Sequence, residues 1–315
     1  MIDTMEALAR RTLAAQGFRS LYYDTSVCNI HFLDGAGVGS LPPVVLLHGI
    51  ASSAIGYSQL MIPLKRYSKQ VIAVDSPGHG WSSVPYQTLC PETIFQGILE
   101  LLDRIITEPV ILYGNSLGGG LTVRYAMERP ENVKGIVLSS PAGAPLNREE
   151  FDHIRSTFNI RGMEEAGRFL DLLYHEPPKF RRLIERFILK LISRPHIQGF
   201  FDSFDPDSDE DLSFTPEDLG SLSMPIQFWW GESERLLPLS CYEYYKEHLP
   251  SHAHIERPAR WGHSPHMEHP KDIVQRIRNF ALEVEREHVF GNSEGHTSKF
   301  GASALQPSEN PENRP

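Results

Sequence analysis

Short, uniformly apolar segments alternate with segments in which apolar residues recur every three or four positions, from about residue 43 onward. The first kind is typical of buried strands and the second of amphipathic helices. Strands that are apolar on both sides occur in parallel sheets that helices cover on both faces. The predicted strands span residues 43–49, 71–75, 110–113, 133–139, 225–231 and 252–256, and the predicted helices include 57–67, 92–107, 117–129, 240–248 and 270–286.

The alternation stops for about eighty residues, where the pattern is helical with no convincing strand. An alternation of strands and helices that stops and later resumes indicates that a subdomain is inserted between two strands of the sheet. We therefore predict an α/β protein with a mostly parallel central sheet, helices on both faces and an inserted helical cap. The predicted segments are an N-terminal helix at 1–19, a core at 20–140 and 224–286, a cap at 141–223 and a disordered tail at 287–315.

Composition narrows the classes of partner and compartment. The 315 residues carry a formal net charge of −10, which argues against nucleic acid because phosphate binding requires a basic surface. Three widely spaced cysteines give no disulfide framework and fit a reducing compartment. The first 19 residues include five charged side chains without a continuous apolar run, so they predict neither a signal peptide nor a membrane span. A cytoplasmic location is the resulting expectation.

A serine enclosed by glycines follows the predicted strand at 110–113. The sequence Gly114-Asn-Ser-Leu-Gly118 places glycines two positions before and two after Ser116. This spacing is typical of a tight strand-to-helix turn that presents a serine hydroxyl at the end of a sheet. Glycine-rich turns also bind phosphate or simply connect elements, so a catalytic role for Ser116 depends on partners elsewhere in the chain.

A serine nucleophile needs a base to remove its proton and a third group to orient that base. Two carboxylates, Glu232 and Glu234, follow the predicted strand at 225–231, and His263 follows the strand at 252–256. Loops after parallel strands meet at one edge of the sheet. We therefore expect these groups at the same edge as Ser116.

Five motifs in this order resemble the α/β-hydrolase family, and the resemblance covers roughly residues 20–286. The resemblance implies Ser116 as the nucleophile, His263 as general base and then acid, and Glu234 as the orienting carboxylate, with Glu232 as the competing acid. The family more often has aspartate at the position of Glu234. The motifs are Leu47-His-Gly49, Asp75-Ser-Pro-Gly-His-Gly80, Gly114-Asn-Ser-Leu-Gly-Gly119, Trp230-Gly-x-x-Glu234-x-x-x-Pro238 and Gly262-His-x-Pro265-x-x-Glu268-x-Pro270.

The same resemblance implies an oxyanion hole made of two backbone N–H groups. They belong to Leu117, directly after the serine, and to Ile50, with Ala51 as the alternative to Ile50. His48 is interpreted as a turn residue that holds this loop. Only backbone donors take part, so no side chain in this pair carries the stabilising charge.

Neither a metal nor an organic cofactor is predicted. His263, His266 and His269 are regularly spaced, but Pro265 and Pro270 interrupt any helix that would place them on one face. The chain has no H-E-x-x-H motif, and no G-x-G-x-x-G motif lies in the first strand-to-helix turn.

One cap segment, residues 180–194, is both amphipathic and basic in an otherwise acidic chain. Packing of its apolar side on the core is the simpler interpretation. The alternative is a weak contact with an anionic membrane surface.

The sequence therefore predicts a serine hydrolase that cleaves small carboxylic esters of apolar acyl groups through an acyl-enzyme. The alternative is a hydrolase of carbon–carbon bonds, because the Gly114-Asn115-Ser116 form of the turn resembles that of meta-cleavage-product hydrolases. A catalytically inactive binding module is a third hypothesis. Thioester hydrolysis, amide hydrolysis and acyl transfer share the same triad and stay open.

Overall fold

The computed structural model describes the backbone of residues 2–203 and 213–297 and the side chains of residues 7–203 and 213–286. The strands are β1 Phe18–Asp24, β2 Asn29–Ala36, β3 Val44–Leu47, β4 Gln70–Val74, β5 Val110–Asn115, β6 Val133–Ser139, β7 Ile226–Trp229 and β8 His254–Glu256. The α-helices are α1 Ile2–Ala15, α2 Ser58–Leu64, α3 Pro91–Ile105, α4 Leu117–Glu128, α5 Arg148–Thr157, α6 Met163–Leu173, α7 Arg181–Ile192, α8 Pro195–Phe200, α9 Pro216–Gly220, α10 Leu239–His248, α11 Pro265–Glu268 and α12 Pro270–Thr297.

The eight strands form one sheet in the order β1-β2-β4-β3-β5-β6-β7-β8. Strand β2 runs antiparallel to its two neighbours, β1 and β4. The remaining neighbouring pairs are parallel. The predicted α/β class with a mostly parallel sheet is confirmed.

Helices cover both faces of the sheet because the side chains of its strands alternate between two apolar clusters. In β5, Leu112 belongs to a cluster that includes Ile98 of α3. The next residue, Tyr113, belongs to the opposite cluster, which includes Leu60 of α2 and Ile277 of α12. This alternation follows from the two-residue period of a strand. It leaves the central strands buried on both sides.

The helical insertion lies between β6 and β7, where the cap was predicted. Helices α5 to α9 belong to it, and the segment 204–212 lies outside the described residues. Aromatic rings form its interior, since the Phe158 ring centroid lies 4.8 Å from that of Phe169 and 4.6 Å from that of Phe201. Of these rings, Phe158 and Phe201 also line a cavity whose wall includes Ser116, the residue that follows β5.

Two predicted boundaries at the chain ends are wrong. Helix α1 ends at Ala15 rather than at residue 19, because Gly17 adopts a left-handed φ of 78° and the chain then enters β1. Helix α12 continues to Thr297, past residue 286. The sequence after residue 286 has no proline before Pro307, so nothing there forces the helix to end. The rest of the predicted tail, 298–315, lies outside the described residues.

Helix α7 occupies the basic segment predicted at 180–194. Arg181 is held within the cap by Asp171 at 2.6 Å and Glu185 at 2.7 Å, whereas Arg182 and Arg186 are exposed. No helix in the described part of the chain is both long and apolar enough to cross a bilayer. The lipid contact of this segment stays a prediction. The apolar residues of α7 that are buried in the cap are Ile188, Leu191 and Ile192.

Candidate active site

Ser116 lies at a sharp turn between β5 and α4. Its backbone has φ 57° and ψ −123°, which is a strained conformation for a residue with a side chain. The start of α4 lies so close to the strand ends that glycine is required two positions before and two positions after Ser116. A Cβ atom at Gly118 would lie 2.0 Å from the carbonyl oxygen of Leu47, and one at Gly114 would lie 2.1 Å from that of Gly118. The G-x-S-x-G spacing is thus explained by packing of α4 against the strand ends.

The backbone of Ser116 is fixed on two sides. Its N–H donates to the carbonyl of Ser139 at the end of β6. Its carbonyl accepts from the N–H groups of Gly119, Gly120 and Ala142. These bonds maintain the strained turn against relaxation.

His263 and Glu234 form a buried pair at the same edge of the sheet. The distance from His263 Nδ1 to Glu234 Oε2 is 2.8 Å, and their side chains are 4% and 1% exposed. Glu234 Oε1 accepts from the N–H groups of Leu236 and Leu237, at 2.8 and 3.1 Å. The competing acid, Glu232, is exposed. Of the two predicted carboxylates, the structure brings Glu234 to His263.

The pKa of Glu234 is lowered despite its burial. Burial by itself disfavours the charged carboxylate, but the neighbouring His263 and the hydrogen bonds to Oε1 and Oε2 favour it more strongly. The side chain is therefore an anion at neutral pH. An anionic acceptor fixes the proton of His263 on Nδ1 and leaves Nε2 free to act as a base.

Asn115 connects the serine turn to the histidine loop. Its Nδ2 donates to the carbonyl of His263 at 2.9 Å and to that of Ser139 at 3.0 Å. The residue directly before Ser116 therefore positions the backbone of His263. Sequence reasoning missed this role, because the amide side chain was considered only as a family marker.

Glu268 holds the same loop from the other side. Its Oε2 accepts from the N–H of Gly262 at 2.9 Å, and its Oε1 accepts from the N–H of His175 in the cap at 2.7 Å. The glutamate that belongs to the last sequence motif thus connects the loop before His263 to the cap.

The predicted oxyanion donors lie beside Ser116. Ile50 and Leu117 both line the cavity that Ser116 lines, and a Cβ at Gly49 would lie 3.1 Å from the Cβ of Ser116. No backbone acceptor for the N–H of Ile50 or Leu117 is found within the described ranges. Two such N–H groups beside a serine can donate hydrogen bonds to an oxygen on which negative charge develops. Ala51, the alternative donor, has a left-handed φ of 56°.

His48 holds this loop, as predicted for a turn residue. Its Nε2 accepts from the N–H of Ser76 at 3.1 Å, so the proton lies on Nδ1, which donates to the carbonyl of Gly49 at 2.8 Å. Burial lowers the pKa of His48, and the ring is neutral.

A cavity of about 190 Å³ adjoins Ser116 beneath the cap. Its wall is apolar and contains one charged side chain among the described residues, Arg124. Such a cavity favours an uncharged, hydrophobic group next to the serine. Its aromatic lining consists of Phe95, Phe151, Phe158, Phe200, Phe201 and Phe214.

The closely spaced histidines His252, His263 and His269 belong to no group that could hold a metal ion in the part of the chain that the structure describes. His252 Nε2 bonds the carbonyl of Met224, and His269 Nε2 bonds that of Arg260. His263 is paired with Glu234. The histidines are thus used separately, as hydrogen-bonding groups of the loops around them.

Two buried histidines near the site predict an acid-sensitive fold. Burial is the main cause that lowers each pKa to about 3, and the nearby imidazoles, His48 for His79 and His263 for His266, add to it because two neighbouring imidazoles disfavour being charged together. In the unfolded chain the ordinary pKa is about 6.5. Below about pH 6.5 both histidines bind a proton in the unfolded state but not in the folded state. Acidification therefore lowers the free energy of unfolding.

We expect the free energy of unfolding to fall by about 3 kcal/mol between pH 7.5 and 5.5 from these two groups. Urea titrations at both pH values measure it. The His266→Gln variant is expected to lose about half of this dependence, whereas the exposed His153→Gln variant keeps it. An unchanged pH dependence in His266→Gln would contradict the assignment.

The sequence is similar to known proteins over most of its length. The model of the alpha/beta hydrolase family matches residues 44–276. A 2-hydroxy-6-oxononadienedioate/2-hydroxy-6-oxononatrienedioate hydrolase of a Pseudomonas species is 26% identical over 264 residues, which cover 80% of this chain and 91% of the relative.

Many solved structures share the fold, including a phospholipase A and a carboxylesterase. A bacterial membrane phospholipase A has a TM-score of 0.76 and 22% identity, with 90% of this chain and 92% of the phospholipase covered. The carboxylesterase CesB of Bacillus subtilis has a TM-score of 0.70 and 21% identity, with 88% and 97% covered. The family match over most of the chain, the sheet order and the serine turn lead to one conclusion: the chain belongs to the alpha/beta hydrolase family.

Proposed function

We propose that the protein is a serine hydrolase that cleaves carboxylic esters with an apolar acyl group. Ser116 Oγ attacks the ester carbonyl while His263 Nε2 takes the hydroxyl proton. His263 then gives this proton to the departing alkoxide, which leaves an acyl group on Ser116. Water, deprotonated by His263, attacks the acyl-enzyme, releases the carboxylic acid and restores the serine.

One observation carries the proposal: Ser116 lies in the wall of an apolar cavity, and the adjacent Asn115 holds the loop of a histidine that is paired with a buried carboxylate. In this mechanism Glu234 keeps the imidazole in one tautomer and stabilises the imidazolium. Ile50 and Leu117 donate their N–H groups to the tetrahedral oxyanion.

The second candidate is hydrolysis of a carbon–carbon bond in a dienoic diketone. The relative from Pseudomonas favours it, since its name describes such a substrate. Asn115 does not by itself favour this reaction, because its amide has a structural use: it donates to the carbonyls of Ser139 and His263. The residues after His263 are Ser264-Pro265 rather than the bulky aromatic residues usual in that group.

A panel of 4-nitrophenyl esters, tested together with a dienoic diketone, distinguishes these reactions. We expect kcat/KM to rise with each added methylene by up to about fourfold until the acyl chain fills the cavity. Release of 4-nitrophenol and loss of diketone absorbance are the two measurements. Cleavage of the diketone without ester turnover would assign the second candidate, and no turnover of either would favour the inactive binding module.

A further inference from the structure

The cavity beside Ser116 extends along one face of α4. Leu117, Gly120, Leu121 and Arg124 line it, which is the spacing of a single helical face. At 1.5 Å per residue, Arg124 lies about 12 Å further along the helix than Ser116. Arg124 is therefore the cavity-lining residue of this helix face that lies farthest from the serine.

Arg124 contacts an aromatic ring and pairs only loosely with a carboxylate. Its guanidinium carbon lies 4.3 Å from the ring centroid of Phe95, which is 5% exposed. The carboxylate of Glu92 forms an ion pair with it at 3.8 Å, beyond hydrogen-bonding distance. No acceptor for its N–H groups is found in the part of the chain that the structure describes. The guanidinium therefore lies close to the ring of Phe95, and its N–H groups are available to a ligand.

Helix α3 adds positive electrostatic potential at the end of the cavity where Arg124 lies. Pro91, the first residue of this helix, and Phe95 both line the cavity. The amino terminus of a helix carries a partial positive charge. Glu92 opposes it, but Glu92 and Arg124 are 48% and 38% exposed, so their attraction is screened by water.

We propose that Arg124 is a specificity-determining residue that binds a terminal carboxylate on the acyl chain. The preferred substrates are then half-esters of dicarboxylic acids: the ester carbonyl lies at Ser116, the methylene chain fills the apolar cavity, and the far carboxylate binds the guanidinium through charge-assisted hydrogen bonds. This inference rests on the proposed ester hydrolysis, and it deepens that proposal by naming the acyl group.

The test compares a half-ester with its neutral counterpart. The substrates are mono-4-nitrophenyl suberate and 4-nitrophenyl methyl suberate, which differ in charge at the far end. In the Arg124→Met variant we expect KM for the suberate half-ester to rise about tenfold, with kcat and the neutral ester nearly unchanged. Arg124→Lys is expected to keep part of the preference, and Glu92→Gln to strengthen it two- to threefold, because the competing carboxylate is removed.

Chain length and binding provide two further readouts. A mono-4-nitrophenyl succinate is too short to span the cavity, so its kcat/KM should not depend on Arg124. Binding of monomethyl suberate to the Ser116→Ala protein, measured by calorimetry, should weaken about tenfold when Arg124→Met is added, and this result does not require turnover. Equal affinities would overturn the role of Arg124. Absent ester turnover together with this affinity difference would overturn ester hydrolysis alone.

Discussion

Replacement of Ser116 by alanine is expected to reduce kcat for ester hydrolysis by roughly a millionfold, because the acyl-enzyme can no longer form. Alanine keeps the Cβ and leaves the hydrogen bonds of the turn intact, since these use only the backbone of residue 116. Initial rates with 4-nitrophenyl octanoate at saturating concentration measure the loss. The remaining rate should come from substrate binding in the cavity and from the oxyanion donors, without an acyl-enzyme.

The matched control is Ser221→Ala, at an exposed serine at the end of α9. It should retain the full rate. Circular dichroism should show that both variants are folded. A Ser116→Ala protein with more than a few per cent of the wild-type kcat would contradict the role of Ser116.

The second large effect is expected for Glu234→Gln, with a fall in kcat of about 10⁴-fold. Glutamine has nearly the same shape and can still accept from the N–H groups of Leu236 and Leu237. Its amide group, however, can donate to His263 Nδ1, which favours the tautomer that protonates Nε2 and removes the base. The same kinetic assay measures the loss, and a pH profile shows whether it persists above pH 8.

Glu232→Gln is the paired control, because Glu232 lies two residues away and is exposed. We expect it to retain its activity. The opposite pattern, a full rate for Glu234→Gln and a large loss for Glu232→Gln, would assign the acid to Glu232.

The central part of the fold follows directly from the sequence. Strand β6 is observed at the predicted residues, Val133–Ser139, because its apolar run is bounded by polar residues and Pro141. The ends of the chain are less predictable from local pattern. Gly17 ends α1 early through a left-handed conformation, and α12 continues past residue 286 through a segment without the apolar period on which the predicted end relied.

The chain order of the motifs predicts which residue types meet at the strand ends, but it does not distinguish Glu232 from Glu234. The loop conformation makes that distinction. A Cβ at Gly231 would lie 2.1 Å from the carbonyl oxygen of Trp261, so the loop after β7 is packed tightly against the loop that contains His263. Only a tertiary contact of this kind orients one glutamate inward and the other outward.

Two features of the site cannot be predicted from the local sequence pattern. The hydrogen bond from Asn115 to His263 joins residues that are 148 positions apart. The sequence pattern of α4 predicts only that one face of this helix is covered. The position of Arg124 in the cavity wall also depends on α3 and the cap, whose residues line the same cavity. Substrate-related features are therefore the least predictable part, because they arise where three separate segments meet.

The most direct test of Ser116 as the activated nucleophile is covalent labelling of the folded protein with a fluorophosphonate, followed by peptide mapping. We expect one adduct, on Ser116, which is absent from Ser116→Ala and forms much more slowly in Glu234→Gln. The absence of an adduct on Ser116 in the folded wild-type protein, or an adduct at another serine that persists in Ser116→Ala, would contradict this role of Ser116.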